Sequence, residues 1–140
     1  MKFFEFLEHT ADTIVKGYGD TFEEALAAVA EGLFAVITDI DKIGPQQEIT
    51  IEADSIDREG LVVSFLSELI VRHEVDGIVA TDFGVTMTGE NALKAVAHGE
   101  EFDEERHEHG MHVKAVSYHM LEIHEGVDEE PWSVQVLLDV

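Results

Sequence analysis

A chain of 140 residues in which 45 % of side chains are hydrophobic has apolar surface enough for one core. It contains no cysteine, which excludes disulfides, zinc–thiolate sites and thiol catalysis. Against 8 Lys and Arg stand 31 Asp and Glu, a formal net charge of -23. So negative a surface repels phosphate backbones and anionic membranes, and stable direct nucleic-acid binding and membrane association are not expected. What complements it is a divalent cation or a basic face on a partner protein. The bulk of the acidity needs no role beyond solubility. An acid arrives at Glu5, too early for a signal peptide, and no apolar run approaches membrane-spanning length. The expected location is cytoplasmic.

In chain order, Phe3–Leu7 reads as a strand, and His9-Thr10-Ala11-Asp12 as a short polar link to a second strand beginning at Ile14. Gly17-Tyr18-Gly19-Asp20 is turn-like. Thr21-Phe22-Glu23-Glu24 is a capping box: Thr21 can cap a helix and Glu24 can reach back. Leu26, Val29, Ala30, Leu33, Phe34 and Ile37 then recur at helical spacing, which predicts one buried face. Gln47–Ala53 alternates, with Ile49, Ile51 and Ala53 on one side. A second helix is expected from Ser55 or Asp57, striped by Val62, Phe65, Leu66, Leu69, Ile70 and His73 and stopped by Asp76-Gly77. Phe83–Thr88 and Ala92–His98 flank Gly89-Glu90-Asn91 as a hairpin. His112–His124 is a further strand region whose alternation changes parity near Ala115-Val116 and again near Met120-Leu121, which predicts bulges. Ser133–Asp139 closes the chain with Val134, Val136 and Leu138 inward. Pro45 and Pro131 fall in loops. Strands and helices do not alternate regularly, which argues against a doubly wound sheet. The expected class is α+β, residues 1–140 as a single domain, with two helices packed on a largely antiparallel or mixed β-sheet.

Chemistry-bearing motifs are few. There is no Gly-rich phosphate loop, no Gly-x-Ser-x-Gly elbow and no convincing nucleophilic triad. His107, His109 and His112 have a spacing compatible with a metal site, but an acidic solvated turn accounts for them more simply. His119 reads as a hydrogen-bonded, partly buried strand residue. Asp12 and Asp139 are more suggestive. Asp139 is followed by Val140, so a side-chain and a terminal carboxylate stand one residue apart, and if the last strand pairs near residue 12 several oxygens converge, although chain ends usually fray. An all-oxygen set of that kind suits Ca²⁺, Mg²⁺ or Mn²⁺ rather than zinc.

Several stretches, in order and spread along the whole chain, resemble the archease family. They are His9-Thr10-Ala11-Asp12, Tyr18 through Ala25, Gly99-Glu100 with Asp103 and His107, Val113-Lys114-Ala115-Val116-Ser117-Tyr118-His119, and Val136-Leu137-Leu138-Asp139-Val140. The resemblance implies an accessory protein of the RtcB-type RNA ligase that seals tRNA halves. Such a protein promotes ligase guanylylation and repeated turnover without being the ligase. The resemblance also implies a divalent-metal site at Asp12, Asp139 and Val140, with Ca²⁺ first and Mg²⁺ or Mn²⁺ as alternatives. His9, Lys114 and His119 are candidates for a functional surface; Lys114 stands out because cations are rare here and it lies in the family strand. The His107–His112 segment is richer in histidine than the family leads one to expect. Two other readings stand beside this one. One is a small metal-dependent phosphoester hydrolase that uses Asp12 and Asp139 as ligands and His119 or His9 as base. The other is a cation-buffering acidic domain with many weak, equivalent sites.

Charge alone yields one expectation about stability. Salt shortens the Debye length from about 30 Å at about 0.01 M to about 10 Å at about 0.1 M and so relieves carboxylate self-repulsion. The melting temperature should therefore rise over that range in a thermal scan. A flat or falling curve would mean that local ion pairs outweigh the net charge.

Overall fold

Thr21 does cap the first helix, α1 (Phe22–Ile37): its side chain accepts a hydrogen bond from the Glu24 amide at 3.1 Å, while Glu24 Oε1 accepts from the Asp20 amide at 2.8 Å. In the computed structural model, which describes residues 1–7 and 12–140, the strand preceding α1 is β2 (Thr13–Gly19). The turn-like glycines Gly17 and Gly19 are thus strand residues. They sit where the helix crosses the sheet, and a Cβ at Gly17 would stand 2.3 Å from the Ala25 carbonyl oxygen. Glycine is required at this point by close approach, not by a turn.

The helix lies so close because its apolar surface is not one face but nearly the whole circumference. Of its residues only Glu23, Glu24, Glu31 and Ala35 are not buried. A helix of that kind must be covered all round, and two sheets do so. The first has strand order β1-β2-β7-β6, with β1 at Phe3–Leu7, β6 at Ala115–His124 and β7 at Trp132–Asp139. The second has order β3-β5-β4, with β3 at Gln47–Asp54, β4 at Ile78–Gly89 and β5 at Ala92–Glu101. Every pairing in both is antiparallel. Helix α1 packs against β1, β2 and β7 of the first sheet and β4 of the second. The other helix, α2 (Arg58–Asp76), is capped by Asp57, ends at Gly77 with φ 70°, and packs on β3, β4 and β6. The fold is α+β, as expected, with its strands divided between two sheets.

Two strands differ from the sequence pattern in an instructive way. Strand β4 starts at Ile78, five residues before the alternation becomes visible, because a bulge between Thr81 and Gly84, with Asp82 at φ 57°, resets the parity. In β6 the expected irregularity near Met120 is real. The ladder jumps from Ser117↔Leu137 to Glu122↔Gln135, so residues 118–121 arch over a single partner, Val136, with Met120 at φ 61°. Gln135 steadies the arch, its Nε2 donating to the Met120 carbonyl oxygen at 3.0 Å. The irregularity expected at Ala115 is instead the start of the strand, since residues 112–114 lie outside the ladder.

The glycine packing can be tested directly. Gly17→Ala should destabilise by about 2–3 kcal/mol in denaturant unfolding, because backbone atoms must move to admit the methyl. At Gly84 the nearest atom to an added Cβ is the Val96 carbonyl oxygen at 3.9 Å. Gly84→Ala should therefore be neutral or stabilising by under about 1 kcal/mol.

Candidate functional site

Strand β7 lies inside the first sheet, with β2 on one side and β6 on the other, and its last residues gather the candidate positions. The β2–β7 ladder runs from Gly19↔Trp132 to Thr13↔Leu138. Continued by one residue, that register sets Asp12 opposite Asp139. On the other flank Ala115 pairs with Asp139, and the Lys114 amide donates to the Asp139 carbonyl oxygen at 2.7 Å. Asp139 and Lys114 have exposed side chains, while Asp12 and Val140 are half-buried. Asp12, Lys114, Asp139 and Val140 thus share one end of one sheet, and Val140 also packs against the core. Among the described residues, the donors at that end are two carboxylates and main-chain carbonyls, all oxygen. That chemistry fits a hard divalent ion. Among the described residues no three His, Asp or Glu side chains stand together as a metal cluster.

Other sequence candidates are placed elsewhere. His9 lies outside the described residues. His119 sits on the arch of β6, three strand positions or about 10 Å from Asp139 along the sheet, and it is exposed rather than partly buried. The bulge carries it outward, and its amide donates to Ser117 Oγ at 2.9 Å. The histidines of the β5–β6 connection do not act as a unit. His109 and His112 are exposed, whereas His107 is 3 % exposed. The solvated-turn expectation fails for His107, because the turn folds back on the end of β5. His109 and His112 instead edge a small pocket of about 320 Å³ that also includes His73, Phe102 and Met111.

The buried polar centre of the molecule is one that the residue patterns did not single out. Glu100, near the end of β5, is 4 % exposed. Its Oε1 accepts from the Arg106 guanidinium and its Oε2 from the Gly44 amide, and His107 Nε2 stands 3.5 Å from Oε2. Asp103 closes the turn: its amide donates to His107 Nδ1 at 2.8 Å and its carbonyl oxygen accepts from the His107 amide at 2.7 Å. With Nδ1 an acceptor, the neutral ring carries its proton on Nε2, facing Glu100. Arg106 beside Glu100 holds its carboxyl below the usual range, opposed by burial and aided by the Gly44 amide. Arg106 is correspondingly raised, first by its bond to Glu100. The available signal was the Gly99-Glu100, Asp103 and His107 pattern noted above, where a carboxylate, its cation and a histidine lie within a few residues.

These directions fix a pH dependence. A carboxyl whose folded value lies below its ordinary 4.5 contributes stability in full above about pH 5, and that contribution is lost as pH falls through the folded value. Glu100→Gln should lower the melting temperature by about 5 °C at neutral pH. The gap from wild type should narrow progressively as pH falls below about 5. A gap that stays constant or widens on acidification would show that the ionised carboxylate is not the stabilising form.

Comparison with known proteins matches the chain to a family. Residues 4–140 match the Archease protein family (MTH1598/TM1083). Protein archease of Pyrococcus furiosus is 43 % identical over 143 residues, covering 100 % of both chains. Protein archease of Methanopyrus kandleri is 35 % identical over 97 % of this chain and 98 % of its own. The solution structure of Methanobacterium thermoautotrophicum protein 1598 superposes with a TM-score of 0.81 at 32 % identity, covering 98 % of each chain. The match spans both helices, both sheets and the sheet end that gathers Asp12, Lys114 and Asp139. This chain belongs to the archease family.

Proposed function

We propose that this protein is an accessory factor of an RtcB-type RNA ligase in tRNA splicing. It promotes guanylylation of the ligase and repeated turnover in the cytoplasm without joining RNA itself. The observation that carries this reading is family membership over residues 4–140. The charge supports it: a chain of net charge -23 is poorly suited to hold RNA and well suited to approach a basic, RNA-binding cleft once product has left. No helix of the described chain is long and apolar enough to cross a membrane.

Asp12 and Asp139 would hold a divalent ion with the Val140 main-chain oxygen, Ca²⁺ by preference and Mg²⁺ or Mn²⁺ as alternatives. Such an ion supplies positive charge where nucleotidyl transfer builds up negative charge. Lys114, whose main chain is held beside Asp139 by its amide, brings an exposed ammonium to the same sheet end. The two carboxylates keep that end acidic and so orient it toward a cationic partner surface. The hydrolase alternative needs His119 or His9 as a base near the carboxylates; the exposed His119 on its arch stands about 10 Å away along the sheet, and His9 lies outside the described residues.

A multiple-turnover ligation assay with a cognate ligase, GTP and divalent metal tests the reading. Wild type should raise turnover and ligase–GMP yield, and it should release nothing from phosphoester substrates on its own. Asp12→Ala and Asp139→Ala should keep the fold and lose stimulation. In calorimetry Asp139→Ala should weaken Ca²⁺ binding by at least about tenfold, equivalent to about 1.4 kcal/mol. An unchanged ligation rate sinks the accessory role, whereas stimulation retained in both variants sinks the site. Separately, fluorescence anisotropy with tRNA at physiological salt should show no submicromolar binding.

A further inference from the structure

We infer that Glu100 is a positioning residue for the sheet-end site: the buried carboxylate sets where Lys114 and the end of β7 stand, through the segment joining β5 to β6. The inference rests on the site proposed above, but its geometry is independent of any ion.

Residues 102–114 leave the second sheet beside Glu100 and enter the first beside Asp139. Their course is pinned throughout. The Phe102 amide donates to the Gly77 carbonyl oxygen at 2.7 Å. Glu100 then holds Arg106 directly and stands against the buried His107, whose ring and amide both close on Asp103. The Glu108 carbonyl oxygen accepts from the buried Thr38 Oγ1 at 2.7 Å. The Gly110 and Met111 amides donate to the Ile37 and Val36 carbonyl oxygens at 2.8 and 2.9 Å. Those carbonyls belong to the last turn of α1, where no helical partner remains for them. The buried Val113 follows, and the Lys114 amide reaches the Asp139 carbonyl oxygen at 2.7 Å.

From His107 to Lys114 no more than two residues separate successive anchors. A segment with so little slack cannot absorb a displacement at one end; it passes it on. Gly110 is the narrowest point, since a Cβ there would stand 2.2 Å from the Val36 carbonyl oxygen and 2.8 Å from that of Ile37. The same carboxylate also accepts from the Gly44 amide, so one side chain ties two segments together. Glu100 touches neither Asp139 nor Lys114; it acts through the crossing.

Two substitutions perturb the crossing at separate points. Glu100→Gln keeps the shape and an acceptor for Gly44 but removes the ion pair with Arg106. Gly110→Ala leaves Glu100 untouched and pushes the crossing off the end of α1. A third, Ile51→Val, thins the core at a β3 residue remote from the crossing and serves as the stability control. Amide hydrogen exchange of the full chain without metal should show Lys114 exchanging about tenfold faster in Glu100→Gln and Gly110→Ala than in Ile51→Val. Calorimetry with Ca²⁺ should show about fivefold weaker binding in the same two variants, with Asp12 and Asp139 intact. Lys114 exchange in Glu100→Gln no faster than in Ile51→Val overturns the inference. If Gly110→Ala does not fold, Glu100→Gln alone decides. A wild type that binds no Ca²⁺ counts against the metal reading only, and the exchange comparison still judges the role of Glu100.

Discussion

Helix α1 is apolar around almost its entire circumference, and water must be kept from every side of it. One sheet cannot do this, because a flat layer covers one stripe of a helix. The arrangement follows from that requirement: a four-stranded sheet on one side, the β4 edge of a three-stranded sheet on another, and the β5–β6 crossing over the end. Close approach on the β2 side leaves no room for side chains, so Gly17 and Gly19 stand where they do. The three polar positions of the helix are used economically. Glu31, for example, accepts from both Lys2 Nζ and the Phe83 amide, tying the first sheet's edge to the second across the helix.

The acidic surface and the buried carboxylate are two different uses of one residue type. Most of the carboxylates are solvated, and ion pairs such as Lys42 with Glu108 are exposed and individually weak. Glu100 is the exception. Burial of its charge is tolerable only because a guanidinium and an amide meet it, with an imidazole N–H alongside. In a chain so short of cations, committing Arg106 to an interior carboxylate is a substantial investment of positive charge, and it goes into holding a connection rather than into the surface.

That connection joins the two halves of the molecule. Its amides satisfy the last carbonyls of α1, so the helix end and the crossing stabilise each other. The crossing finishes at Asp139, which already pairs with Ala115 and lies one register step beyond Thr13↔Leu138. The candidate site is therefore built from a strand interior to its sheet and a segment anchored on a buried helix, a rigid base for side chains that must meet a partner.

What the sequence determined by itself was local. Capping boxes, glycine stops and periods of 3.6 and 2 depend on neighbours within a few residues, so both helices, all seven strands and the Met120 irregularity were legible, and family motifs pointed to Asp12 and Asp139. Tertiary structure decided everything that depends on what an element packs against. Gly17 and Gly19 have the composition of a turn but lie under a helix. The apolar residues of α1 suggested one face because a spacing count cannot show how many neighbours a helix has. His107 and His119 exchanged their expected surroundings, the first buried by a turn folding onto Glu100, the second lifted out by a bulge. Glu100 itself is one of 31 acidic residues in the sequence. The family pattern of Gly99-Glu100 with Asp103 and His107 marked its position but not its role, which the Gly44 amide, Arg106 and the depth of the site define; burial is a property of the assembled layers, not of any short stretch of chain.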